Sequence, residues 1–193
     1  MTDDSEFARL VSLACHDLRT PLATVHGFAT TLVRGGGLEP PADRYVEMID
    51  LASAQLAELI EELSLAARIE SGRYNPTPRE ADTLELVQAA AARLGEERVR
   101  VSGSGMALET DPDAVERGLA ALFQSALRHG GLDSVDVEVD GPEMRLSPVT
   151  AASAPVVLGD DLRDLGAAVA VLLIRRLGGS VAVDGETLKI ELA

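Results

Sequence analysis

Apolar residues recur every three to four positions through the first 72 residues of this 193-residue chain, which predicts two long amphipathic helices. At about 100° per residue, Phe7, Ala14, Leu18 and Val25 share one narrow stripe, flanked by Leu10, Val11, Pro21, Leu22 and Phe28. The stretch GGGLEPP, Gly35 to Pro41, breaks the pattern with residues that stop and start helices. A second run follows through Tyr45, Ile49, Ala52, Leu56, Leu59, Leu63, Ala66 and Ile69, and closes at Ser71-Gly72. Each helix would hold about 30 residues and reach roughly 45 Å. Two such helices cannot bury both stripes by pairing alone. A second copy completing a four-helix bundle is the economical solution, with packing against the chain's own second half as the alternative.

After the Pro-punctuated link YNPTPR, Tyr74 to Arg79, the period changes. Leu84 to Leu94 is expected as an Ala-rich helix, with short strands at Val99–Val101 and Ala107–Leu108 around an SGSG turn. Asp111 followed by Pro112 opens a helix that runs to Arg128. Val135, Val137 and Val139 alternate as a strand, and Met144 and Leu146 continue after an Asp-Gly-Pro turn. Leu165 to Leu177 is an apolar helix stopped by Gly178-Gly179, before a hairpin of Val181–Val183 and Leu188–Leu192 around Asp184-Gly185. The expected fold class is α+β: a helical hairpin over residues 1–73, then a small domain over 79–193 in which helices cover an antiparallel or mixed sheet.

Composition narrows the classes of function. With 17 Lys+Arg against 32 Asp+Glu the net charge is −15, which repels nucleic-acid phosphates and anionic membranes. The charge is shared, −7 over residues 1–72 (5 basic, 12 acidic) and −8 over the rest (12 basic, 20 acidic). A single cysteine, Cys15, leaves no intramolecular disulfide or multi-cysteine metal site and fits a reducing compartment. No Trp, two Tyr and three Phe leave the core to aliphatic side chains, which suits helical seams and disfavours base stacking. The apolar run Leu165–Ile174 is about half of a membrane span, and the acidic start MTDDSEFARL lacks signal-peptide character. These features lead us to expect a soluble, cytoplasmic protein with no membrane or nucleic-acid partner.

His16 lies about 180° from the Phe7/Val25 stripe, Thr20 one turn later lies within about 40° of it, and Asp17 is its neighbour. An exposed imidazole beside a carboxylate suits phosphoryl transfer: neutral nitrogen attacks phosphorus while the carboxylate orients the ring or takes its proton. A hydroxyl one turn on can hold a water in line with a partner's phosphoryl group. By contrast, His26 and His129 read as surface or helix-end residues, and Cys15 as a small side chain packed on the bundle flank.

The string His16-Asp17-Leu18-Arg19-Thr20-Pro21-Leu22, within SLACHDLRTPL, resembles the phospho-acceptor box of bacterial sensor histidine kinases, and LAARIESGR at the end of the second helix is similar to that family's hairpin. The resemblance implies a dimeric hairpin with His16 as phospho-acceptor, Asp17 as acid/base or orienting group and Thr20 as the phosphatase-type residue that positions water. It further implies Arg19 and Leu13 as partner-binding positions. The second half follows the frame of the family's ATP-binding domain but departs from its boxes. Ala121 and Ser125 stand where two asparagines serve magnesium and phosphates; RLSPVTAASAP, Arg145 to Pro155, lacks the adenine-reading Asp and its glycines; only Gly166 remains of the later glycine box, next to Asp164. The stretch between those boxes is also shorter than the usual nucleotide lid.

Such a chain resembles the dimeric histidine phosphotransferases of the ChpT type. The expected function is to relay a phosphoryl group between response-regulator receiver domains through phospho-His16 without ATP-dependent kinase activity. It would need no cofactor of its own, because the magnesium sits on the receiver. The alternatives are a pseudo-histidine-kinase that dephosphorylates or sequesters a receiver, and a non-enzymatic adaptor.

Overall fold

The computed structural model describes residues 3–193, with the side chains of residues 3–7, 9 and 10 outside that description, so Phe7 and Leu10 of the expected stripe lie beyond it. The chain divides into two compact units, one ending at Tyr74 and the other beginning at Asn75.

The first unit is an antiparallel pair, α1 (Asp3–Gly35) and α2 (Ala42–Glu70), with α1 continuous through Pro21. Ala8, Cys15 and Ala29 are buried at seven-residue multiples on α1, and Ser53 and Ala67 on α2, so small side chains close the seam between the helices. Cys15, 1% exposed, belongs to this seam. The stripe expected from the sequence is a different surface, turned by roughly 70° about α1. Its members Leu18, Val25 and Phe28, with Leu32, stay exposed, as do Tyr45, Ile49, Leu56, Leu59 and Leu63 on α2. Each helix therefore carries two apolar tracks, one filled within the chain and one open.

The second unit is a two-layer α+β domain. Its elements are β1 (Arg79–Asp82), α3 (Thr83–Ala92), β2 (Val99–Ser104), β3 (Ala107–Thr110), α4 (Pro112–Gly130), β4 (Val135–Asp140), β5 (Glu143–Ser147), α5 (Ala154–Val157), α6 (Leu165–Arg176), β6 (Ser180–Asp184) and β7 (Thr187–Glu191). The main sheet runs β2-β4-β5-β7-β6, parallel only between β2 and β4. Strict alternation in VDVEVD sends Val135, Val137 and Val139 inward, where they join Leu119, Leu122, Phe123, Leu146 and Ile190 in an aliphatic core. Asp82, Asp111 and Asp164 each cap a helix by accepting from its first-turn amides. The opposite sheet face is a solvated charge ladder. There Arg100 holds the Asp136 carboxyl below the ordinary aspartate range through a 2.7 Å hydrogen bond, and Lys189 does the same for Asp184 at 2.6 Å.

Three expectations change. β1 begins at Arg79, the last residue of the expected link, and pairs antiparallel with β3, a strand too short and charged to show a period. The four-residue α5 was likewise hidden in an irregular stretch. SGSG is not a hairpin turn: β2 continues through Ser104 and pairs parallel with β4, while β3 joins the other sheet. Gly103 makes this possible. It sits at φ +104°, and a Cβ there would land on the Val139 carbonyl oxygen. Gly103→Ala should destabilise by about 1–3 kcal/mol from backbone strain alone, with the clash added. Its urea midpoint should fall clearly below that of the parent chain.

Candidate functional site

About four turns into α1, His16 and Asp17 face solvent, with side chains 77% and 71% exposed. His16 Nδ1 lies 3.2 Å from Asp17 Oδ1. A carboxylate only accepts, so the shared proton rests on Nδ1 and the Nε2 lone pair faces outward. Proline at position 21 is tolerated without ending the helix, which keeps Thr20 on the turn above His16. His16, Arg19, Thr20, Ala23 and Thr24 line one open depression on this face, and Leu13 stands exposed one turn before His16. The structure thus gathers His16, Asp17, Arg19 and Thr20 as the sequence proposed. Ala23 and Thr24 were missed. Their signal was the i+4 spacing from Arg19 and Thr20, and Thr24 Oγ1 donates to the Thr20 carbonyl at 3.2 Å.

In the second unit Ser125, the Thr150–Ser153 turn and Asp164, which stand at the positions expected for the nucleotide boxes, pack and cap within the domain. Ser125 is fully buried on α4, and its hydroxyl has no hydrogen-bond partner among the described residues. A Cβ on Gly118 would stand 3.5–3.6 Å from Leu173 and Ala170, so α4 packs directly on α6. The Thr150–Ser153 turn closes on itself through hydroxyl and amide hydrogen bonds and leads into α5. Asp164 Oδ1 caps α6 at the Ala167 amide, 3.2 Å away, while Oδ2 meets His129 Nε2 at 3.1 Å and lies 3.9 Å from the Arg128 guanidinium. A helix N-terminus that would welcome a phosphate is filled by the chain's own carboxylate. No group of three or more His, Cys, Asp or Glu among the described residues is arranged to hold a metal.

The remaining histidines differ from expectation in different ways. His129 is the expected helix-end residue, but paired and mostly buried. His26 is not a plain surface residue: it bridges the hairpin, with Nδ1 3.1 Å from both Asp50 Oδ1 and Ser53 Oγ.

Residues 8–72 match the His Kinase A (phospho-acceptor) domain. The hairpin belongs to the histidine-kinase phospho-acceptor family. The chain is 31% identical over 176 residues to histidine protein kinase DivJ of Caulobacter vibrioides, spanning 82% of this chain and 28% of that protein. It is 28% identical over 153 residues to an uncharacterized sensor-like histidine kinase of Rhizobium meliloti, spanning 72% and 29%. The chain therefore spans less than a third of these relatives' length. Among solved structures it is similar in fold to histidine kinase AdeS of Acinetobacter baumannii, with a TM-score of 0.60 at 18% identity over 92% of this chain and 97% of that one. The full-length ShkA structure in complex with AMPPNP gives 0.67 at 19% identity over 96% and 46%. The second unit thus carries a histidine-kinase ATPase-like fold behind the phospho-acceptor hairpin. No helix among the described residues is long and apolar enough to cross a membrane.

Proposed function

We propose that the chain is a homodimeric histidine phosphotransferase that relays phosphoryl groups between response-regulator receiver domains through His16 and does not use ATP. The observation that carries this reading is the pairing of an open acceptor with a filled nucleotide frame: His16 Nε2 faces solvent, whereas Asp164 occupies the α6 N-terminus and Ser125 is sealed inside α4. In the forward step Nε2 attacks the phosphorus of a receiver's aspartyl phosphate. The N–P bond forms, the acyl P–O bond breaks, and the receiver's aspartate leaves as a carboxylate, whose charge a magnesium ion on the receiver would neutralise. The positive charge gained by the ring is balanced by Asp17 across the Nδ1 hydrogen bond. Transfer to a second receiver is the reverse step.

Arg19 offers a cation beside the transferred group, Leu13 an apolar contact for the receiver, and Thr20 a hydroxyl that can position water when the receiver is dephosphorylated instead. In this reading residues 1–73 perform the transfer, and residues 79–193, needing no cofactor, serve as scaffold and docking surface.

The test is a labelling comparison. Radiolabelled phosphate should pass to this chain from a phosphorylated receiver, drawn from a panel covering the source cell, and ATP with magnesium should label nothing. Labelling by ATP alone would overturn the reading.

A further inference from the structure

We propose that His26 is a second phosphoryl-accepting nucleophile on the hairpin, taking the group from donors of the acyl-phosphate class. His26 has surroundings related to those of His16, with the support drawn from α2. At His16 the orienting carboxylate is the exposed neighbour Asp17, 3.2 Å from Nδ1. At His26 the hydrogen bond at Nδ1 goes to Ser53 Oγ, 3.1 Å away, and the Asp50 carboxylate of α2 stands beside it as an ion-pair partner, Oδ1 3.1 Å from Nδ1. Asp50 is itself held: Thr30 Oγ1 donates to the same Oδ1 at 2.6 Å. Ser53 Oγ donates to the Asp50 backbone carbonyl at 2.9 Å, which spends its only proton and leaves its oxygen to accept from Nδ1. Both neighbours of Nδ1 are therefore acceptors, so the proton is fixed there. Nε2 keeps its lone pair, has no hydrogen-bond partner among the described residues, and belongs to a side chain 42% exposed.

The arrangement is not that of a serine hydrolase. Ser53 and Asp50 meet the same ring nitrogen, whereas a relay of that kind needs them on opposite ones. It is the arrangement of a nucleophilic imidazole whose far nitrogen is held by a hydroxyl with a carboxylate beside it to balance charge. His129 shows the contrast within one chain: there Nε2 itself is tied to Asp164 and the ring is largely buried. The ten residues between His16 and His26 correspond to about 15 Å along α1, so the two sites do not share a reacting group.

The step is the one written for His16. Nε2 attacks phosphorus, the N–P bond forms, the donor's bond to phosphorus breaks, and the cationic ring is balanced by Asp50. The probe is acetyl phosphate, an acyl phosphate from which acetate departs as the acyl P–O bond breaks. It is applied to the full chain and the product is read by intact mass and fragmentation at neutral pH. The parent chain should take up two phosphoryl groups, at His16 and His26, while His129 stays unlabelled over the same interval. His16→Ala should take up one, at His26. Adding Asp50→Asn to that variant should slow labelling of His26 at least about ten-fold, and Asp50→Glu should restore part of the rate. Thr30→Val, which loosens Asp50 without removing it, should slow it several-fold and serves as the test if Asp50→Asn loses helix by circular dichroism. No phosphate on His26 once His16 is fully labelled, labelling of His129 as fast as His26, or a rate insensitive to both Asp50 and Thr30 would each overturn the proposal. Because fragmentation reports each histidine separately, failure at His26 is distinct from failure at His16.

Discussion

His16→Ala should abolish phosphoryl uptake from a receiver, a loss of at least about 10³-fold, with the fold untouched. The nucleophile forms the only covalent bond in the proposed step, so removing it leaves no weaker route for the group to follow. The side chain is 77% exposed and, among the described residues, it hydrogen-bonds only its neighbour Asp17. Truncation there should move stability by no more than about 0.5 kcal/mol. A lost signal with an unchanged denaturation midpoint then reports chemistry alone. Asp17→Asn should be intermediate: the amide still meets Nδ1, but it can donate to it, which shifts the proton to Nε2 and removes the lone pair from the reacting side. A loss of about 10²-fold is expected. Thr20→Ala should leave the transfer nearly intact and reduce only receiver dephosphorylation, read as phosphate release in the presence of the chain. If dephosphorylation persists in His16→Ala and disappears in Thr20→Ala, the phosphatase reading replaces the transferase one. Transfer that persists without His16 would remove the acceptor assignment altogether.

What the sequence made legible follows from how locally each feature is determined. The exposed face of α1 could be read because His16, Asp17, Arg19 and Thr20 are fixed by helical spacing over one turn. The caps at Asp111 and Asp164 are equally local, and so is the alternation of Val135, Val137 and Val139. The features missed are those in which distant segments decide. Gly103 reads as half of a turn until β4 lies beside it, and then its lack of a Cβ is what allows a parallel pair past the Val139 carbonyl. His26 reads as solvent-facing until α2 brings Asp50 and Ser53 to it. The role of Asp164 was visible only as a charge in the wrong place. That His129 pairs with it while it caps α6 required the C-terminal end of α4 to meet the start of α6. The α1 stripe was legible as an apolar surface, but a sequence shows two overlapping tracks on one wheel without saying which of them α2 fills.

That second track gives the other large effect. Val25→Asp, or Leu59→Asp on α2, should convert the proposed dimer to a monomer at micromolar concentration, as measured by light scattering. Val25 and Leu59 are about half exposed in the single chain, and each would be buried twice in a symmetric pair. Burying the exposed half of one such side chain contributes about 0.8–1.5 kcal/mol. Losing two weakens association by at least about 10-fold at 1.4 kcal/mol per decade, and the desolvation of two carboxylates adds to that. Exposure by itself does not identify this surface. Leu13 and Leu51 are 58% and 67% exposed, more than Val25, yet they lie roughly 100–120° round their helices from the open tracks. Leu13→Asp and Leu51→Asp should therefore leave the dimer intact, and Leu13→Asp should weaken only transfer from the receiver. A four-helix bundle closed on the Leu18/Val25/Phe28 and Ile49/Leu56/Leu59 tracks requires that division. A monomeric parent chain, or a dimer broken by Leu13→Asp and spared by Val25→Asp, would show that the open tracks face something other than a second copy.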